Sequence, residues 1–273
     1  MTDLHDSPLG HATHYPDAYA PELLFRVDRA PQRAELGFAG ALPFRGADRW
    51  NAYELFWLDA GGKPQVAVAS FVVPADSPSI VESKSVKLYL ASFNLARFPG
   101  AAAVAAALER DLSRATGAPV AVEMTLPDAF ASLAHGELEG ECLDRLPCRG
   151  DAAAPRPDLL RAAGAVVDET LYTRLFRSVC PVTGQPDFAS VQVRYRGAAI
   201  DREGLLSYLV SFRRHPGFHE HCVERIFADL WQCCRPQWLA VQARFTRRGG
   251  VDINPWRSSG AEAPPANRRT TRQ

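Results

Sequence analysis

The sequence predicts an α+β protein made of two related modules, each an antiparallel sheet backed by a pair of helices. Three observations carry that reading. The first is an internal repeat: Tyr89-Leu90-Ala91-Ser92-Phe93 reappears as Tyr208-Leu209-Val210-Ser211-Phe212, an offset of about 119. Upstream, Gly62-Lys63-Pro64-Gln65 matches Gly184-Gln185-Pro186-Asp187, and downstream Asp111-Leu112 matches Asp229-Leu230. The second is an element order of strands, two helices and strands in each copy. The third is a Pro-Gly break between the helices, at Pro99-Gly100 and again at Pro216-Gly217. A period this long excludes a solenoid and indicates a duplicated domain.

Each element follows from local pattern. QVAVASFVV (65–73) alternates in part and follows a GGKP turn, as a strand does. A helix is expected around 84–95, then an Ala-rich helix from the Pro-Gly break to about Ser113, then the strand PVAVEMT. In the second copy SVQVRYR (190–196) alternates with period two, and a helix over 202–213 precedes the second break. The helix over 218–234 places Val223, Ile226, Phe227, Leu230, Trp231 and Cys234 on one stripe. LAVQARFT, the turn RRGG and VDINPW complete the copy. Residues 1–35 read as an arm draped over the body, AAAPRP (152–157) as the linker, and the tail from Gly260 as frayed.

Composition narrows the function classes. A chain of 273 residues, 47% hydrophobic and 23% charged, forms one large domain or two modest ones without staples. Lys and Arg number 31, as do Asp and Glu, so the broad positive field of a nucleic-acid binder is not expected. No run reaches the roughly 18 apolar residues of a membrane helix. The start MTDLHDSPLGHATHYPD has neither a basic region nor an apolar stretch, so a cytoplasmic address is expected. The six cysteines, at 142, 148, 180, 222, 233 and 234, form no CxxC pair and no structural-zinc spacing. They are expected to be free thiols.

Four stretches could carry chemistry. Cys180 stands in SVCPVTGQPDF, where Pro181, Gly184 and Pro186 force a loop that can present a thiol, with Asp187 seven residues on. A thiolate attacks electrophilic carbon and a nearby carboxyl exchanges protons with the adduct. The bland alternative is a small buried hydrophobe. Phe218-His219-Glu220-His221-Cys222 opens a helix, where ligands and anions are favoured; alternatively Glu220 serves the dipole and His219 is a satisfied core residue. Metal ligation by this cluster is not expected, because i and i+2 diverge by roughly 200° on a helix.

Glu82-Ser83-Lys84-Ser85-Val86-Lys87 reads as another helix start, capped by Ser83 or Ser85 with Glu82 beside it. Its two lysines oppose the dipole, which an anionic ligand would explain; a solvated face is the alternative. Thr246-Arg247-Arg248-Gly249-Gly250 permits a tight turn whose arginines suit phosphate, or is a plain hairpin turn. Neither GxGxxG after a strand nor GxxxxGK[ST] occurs.

Together, ESKSVKLY (82–89), CPVTGQPDF (180–188), FHE (218–220) and RRGGVDINPWR (247–257) resemble the bimodular NADPH-dependent 7-cyano-7-deazaguanine reductases. The resemblance runs from GADRWNAYELFWLD to INPWRS. It implies tandem tunnelling-fold modules at 36–150 and 165–259, with the arm at 1–35, a linker at 151–164 and a tail at 260–273. It further implies NADPH-dependent reduction of a nitrile to a primary amine in queuosine biosynthesis, with no metal. Carried over by residue, Cys180 would add to the nitrile carbon to give a thioimide, and Asp187 would donate the proton. His219 and Glu220 would line the base pocket with Val81, Glu82 and Ser83, His219 either as proton donor or as positioning group. Ser83 and Lys84, with Arg248 and Gly249 from the other module, would hold NADPH.

The lysines at 84 and 87 are unmatched in the second copy, where Asp201-Arg202-Glu203-Gly204 stands, and the first copy lacks the cysteine loop. One composite site per chain is therefore expected, in a homodimer without direct nucleic-acid or membrane contact. The competing readings are a zinc-dependent cyclohydrolase-like enzyme and a non-enzymatic tRNA-binding protein.

Overall fold

The computed structural model describes residues 16–38, 40–148, 150 and 153–273. The chain forms two compact units, and neither is one continuous stretch. The first comprises the described residues of 1–39 with 48–134 and 247–252; the second comprises 40–47, 135–246 and 253–273. The RRGG turn thus belongs to the unit that holds ESKSVKLY, rather than to a continuous second module. The physical cause is backbone pairing: the Tyr53 N–H donates to the Gly250 carbonyl at 2.9 Å.

The first unit contains β1 (Arg26–Asp28), α1 (Ala30–Glu35), most of β2 (Arg45–Leu58), β3 (Pro64–Pro74), β4 (Ser79–Val81), α2 (Ser83–Ala91), α3 (Ala101–Thr116) and β5 (Ala121–Thr125). Its sheet runs β5-β3-β2, with α2 and α3 as the expected helix pair. Of the segment 1–35 expected to be a draped arm, residues 1–15 lie outside the described residues, and the part around β1 is woven in. β1 pairs antiparallel with β4, Val27 opposite Ile80. Arg29, only 4% exposed, bonds Asp48 at 2.5 Å and Ser77 Oγ at 3.1 Å. A buried guanidinium needs such partners, so this segment is tied down.

The second unit holds β6 (Glu141–Cys142), β7 (Ala162–Val179), β8 (Pro186–Ile200), α4 (Arg202–Val210), α5 (His219–Cys234), β9 (Trp238–Phe245) and most of β10 (Val251–Ser258). Its strand order is β6-β7-β8-β9-β10, antiparallel except for the short parallel pairing of β6 with β7. The apolar stripe of α5 is buried as its spacing demands, at Val223, Ile226, Phe227 and Leu230. The tail is not frayed. Thr270 and Gln273 are buried, and the Gln273 amide donates to the Phe245 carbonyl at 3.1 Å and to Asn254 Oδ1 at 2.6 Å. A polar tail docks here because its amide satisfies a carbonyl at a strand end.

The repeat is visible bond by bond. Tyr89 donates to Asp111 at 2.7 Å in the first unit and Tyr208 donates to Asp229 at 2.6 Å in the second. Ser92 Oγ bonds back to the Tyr89 carbonyl and accepts from the Ala20 N–H; Ser211 Oγ does the same with Tyr208 and Arg156. A 3-10 turn follows each time, Pro21–Leu23 and Pro157–Leu159. The duplication therefore reaches back to Pro21-Glu22-Leu23-Leu24 and Pro157-Asp158-Leu159-Leu160.

Candidate functional site

In the second unit the β7–β8 hairpin builds the site around Cys180. Ser178 pairs with Asp187 across the hairpin and Val179 with Pro186, so Asp187 shares a sheet face with Ser178. Cys180 donates its N–H to the Gln185 carbonyl at 2.8 Å, and Gly184 closes the loop onto the Cys180 carbonyl at 3.0 Å. Gly184 does this at φ +70°, which favours glycine. Cys180 is 6% exposed.

The start of α5 is bolted to the same hairpin. The Val179 N–H donates to the His215 carbonyl and the Gly217 N–H to the Val179 carbonyl, both at 3.0 Å. Pro216-Gly217 is therefore a bridge to the cysteine strand as well as a helix break. One residue into α5 the His219 ring lies flat on Phe245, centroids 3.8 Å apart and planes 16° apart. Its Nε2 faces Asp187 Oδ2 at 3.4 Å, while Nδ1 is buried with no hydrogen-bond partner among the described residues. Glu220 is buried at 4% exposure. The expected quartet Cys180, Asp187, His219 and Glu220 thus converges within one unit. Cys222 beneath it is fully buried, and its thiol is pushed up to about 12 by that burial first and by Asp187 and Glu220 after it, so it stays protonated.

The first unit carries a copy of this hairpin without the nucleophile. Leu58 makes the bonds of Val179, to the Ala96 carbonyl and from the Phe98 N–H, both at 2.9 Å. Asp59 stands in the place of Cys180: its N–H donates to the Lys63 carbonyl and its carbonyl accepts from Gly62, both at 3.0 Å. Gln65 stands in the place of Asp187 and donates to Asp59 Oδ2 at 3.0 Å. Side chains at these two places are therefore within hydrogen-bond reach in such a hairpin. The Lys63 N–H, foremost among several donors, holds the Asp59 carboxyl below its ordinary range.

The other expected residues gather in the first unit. Glu82, 1% exposed, is itself the cap of α2, accepting from the Lys84 N–H at 2.7 Å and the Ser85 N–H at 2.8 Å. The expected serine cap is corrected. Ser85 faces inward to bond the Glu82 and Phe25 backbones, and Ser83 Oγ lies 3.5 Å from Glu82 Oε1. Glu82 Oε1 thus faces two donors of its own helix, and Oε2, which accepts from Ser85 alone among the bonds named here, keeps a lone pair to accept with. Val81, 3% exposed, ends β4 directly before it.

Arg248 and Val251 exchange backbone bonds around Gly249 (φ +62°) and Gly250 (φ +77°), a type I′ turn that only glycines adopt readily. A Cβ on Gly249 would stand 3.1 Å from Lys87 Cδ, so the bare turn lies against a lysine stem. Lys84 and Lys87 are three apart and share a helix face. Lys87 against a side-chain-free turn flanked by Arg247 and Arg248, with Lys84 on the same helix face, makes a donor set that fits the phosphates of a dinucleotide. Among the described residues no group of three or more His, Cys, Asp or Glu is placed to hold a metal ion. Nor is any helix among them long and apolar enough to cross a membrane. A cleft of about 530 Å³ in the second unit, lined by Arg194, Trp238, Gln242 and Arg244, contains none of the expected site residues.

Two histidines behind the site set its acid tolerance. His215 and His221 stack at 6.2 Å, and burial lowers both, His221 from its ordinary 6.5 to about 4, with the other histidine and Arg225 adding to it against Glu224. A depressed histidine stays neutral in the folded chain while the unfolded chain takes a proton, so stability falls as pH drops from about 6.5 towards about 4. A shift of that size makes the loss about 3 kcal/mol. Thermal unfolding at pH 7 and at pH 4.5 is expected to show it, and His221→Gln to flatten the slope. An unchanged slope in that variant would exclude His221 as the cause.

A family model described as "Nitrile reductase, 7-cyano-7-deazaguanine-reductase N-term" matches residues 15–124, and one described as "QueF-like protein" matches 186–264. The chain is 59% identical over 271 residues to the NADPH-dependent 7-cyano-7-deazaguanine reductase of Bordetella pertussis, covering 99% of each chain. It is 57% identical to that of Bordetella avium over the same span, and 56% identical to that of Burkholderia vietnamiensis over 269 residues and 98% of each chain. Among solved structures, the archaeosine synthase QueF-Like in the apo form covers 37% of this chain and 99% of its own at 20% identity, with a TM-score of 0.32.

Proposed function

We propose, from the premise that the chain belongs to the family of 7-cyano-7-deazaguanine nitrile reductases, that it reduces the nitrile of 7-cyano-7-deazaguanine to the primary amine 7-aminomethyl-7-deazaguanine, consuming two NADPH, in tRNA queuosine biosynthesis. The observation that carries this reading is the Cys180 hairpin, with Asp187 and His219 at 3.4 Å beside it.

The Cys180 thiol gives its proton to the Asp187 carboxylate as Sγ adds to the nitrile carbon; the C–S bond forms while one pair of the triple bond moves to nitrogen, which takes that proton from Asp187. The product of this step is a thioimide. His219, seated on Phe245, keeps the Asp187 proton in place through Nε2 and turns Nδ1 to the substrate. The deazaguanine edge offers an exocyclic amine and a ring N–H, both donors, which suit carboxylates: Glu220 is the acceptor of the second unit, and Glu82, with Val81 and Ser83, is the first unit's candidate for the same task. Ser83, Lys84, Arg248 and Gly249 hold NADPH. NADPH, when bound, would supply two hydrides in succession; after the first the C–S bond breaks, the sulfur leaving with its electron pair and taking back a proton as the C=N bond re-forms, and the second hydride with a proton to nitrogen gives the amine. The buried setting of Cys180, Asp187 and Glu220 excludes bulk water from an adduct that hydrolysis would divert. The protein works as a cytoplasmic homodimer on a free base, without direct nucleic-acid contact.

The test is the NADPH oxidised per mole of 7-cyano-7-deazaguanine added. Two per nitrile is expected. One or none, from folded protein, would overturn the reading.

A further inference from the structure

Tyr53 touches the RRGG turn in two ways and the strand leaving it in a third, and no expectation from the sequence included it. Its N–H donates to the Gly250 carbonyl at 2.9 Å. Its hydroxyl donates to Asp252 Oδ2 at 2.5 Å, while the buried Asn51 amide donates to Asp252 Oδ1 at 2.8 Å. Its ring lies under the Arg247 guanidinium, 4.9 Å from the centroid. Asp252 is 1% exposed, so both carboxylate oxygens are anchored on β2 and the strand leaving the turn is fixed. Arg247 itself is exposed. A guanidinium held over an aromatic face has less rotamer freedom left to lose when its N–H donors meet a phosphate.

We propose that Tyr53 is a positioning residue for the dinucleotide. It fixes the turn through Gly250 and Asp252 and seats Arg247 as a guanidinium that binds a cofactor phosphate. The proposal rests on the reading that Arg248 and Gly249 hold NADPH.

The test is NADPH titration by its fluorescence, without nitrile, on wild type, Tyr53→Phe and Tyr53→Leu. Adduct formation on Cys180 with nitrile alone is followed by mass spectrometry in parallel. Loss of the ring in Tyr53→Leu is expected to weaken NADPH binding on the order of tenfold. Tyr53→Phe keeps the seat of Arg247 and stays within about threefold of wild type. Adduct formation is expected to be the same in all three proteins. Tyr53→Leu binding NADPH as wild type does would overturn the proposal, as would Tyr53→Phe being as weak as Tyr53→Leu. Loss of adduct formation in Tyr53→Leu would also overturn it, because the residue would then be merely structural. Failure of wild type itself to bind NADPH would instead sink the cofactor reading beneath it.

Discussion

Replacing Cys180 with alanine is expected to lower NADPH-dependent turnover roughly 10⁴-fold or more and to abolish the covalent adduct with nitrile alone. The size follows from the role: the hairpin holds no other thiol, and addition is the step that makes a reducible C=N bond. The fold should survive, because the bonds that shape the loop use the Cys180 backbone and the glycine at 184. Cys222→Ala is the control. That thiol sits in the same region but is held protonated, so the adduct should still form. Intact-mass spectrometry after mixing with the nitrile reads both variants. An adduct on Cys180→Ala, or turnover within tenfold of wild type, would remove Cys180 from the mechanism.

Arg257→Met is expected to destabilise the protein by about 3–5 kcal/mol, lowering the melting temperature by roughly 10 °C. Arg257 is fully buried, and both Nε and Nη2 donate to Glu224 Oε1, at 3.0 and 2.8 Å. Its Nη1 donates to the carbonyls of Trp256 and Ala47, at 2.9 and 3.2 Å. Removing the cation strands a carboxylate at 3% exposure on α5, one turn beyond Glu220. Double replacement with Glu224→Leu should recover most of the loss, since an apolar pair leaves no charge stranded. Urea unfolding of the three proteins measures it. A single variant within about 1 kcal/mol of wild type would mean that the pair is not holding α5 in place.

Much of this was legible because its causes are local. The stripe on α5, the alternation in β8 and the Pro-Gly breaks each report a period or a breaker, and the structure follows them. The cap of α2 was misread because glutamate is not among the residues preferred at a cap, so the serines beside it drew the assignment, whereas the Glu82 carboxylate takes both N–H donors. β7 escaped notice because its register shifts between Thr173 and Phe176, which resets the alternation midway through eighteen residues. The anchoring of the RRGG turn was out of reach for a different reason. It depends on Asn51 meeting Asp252 across 201 residues of chain, which no window detects. The fate of residues 16–35 could have been found from the PELL and PDLL match alone.

The discontinuity of the units bears on how the chain is made. Residues 247–252 complete the first unit, whose other segments all lie before residue 135. A ribosome releasing about 5–20 residues per second therefore leaves that unit unfinished for on the order of ten seconds after residue 134 emerges. During that interval β2 lacks the turn that pairs with it. The first half therefore emerges without one strand-turn of its own unit, and expressing residues 1–134 alone is expected to give a less stable fold than the whole chain, read by urea unfolding.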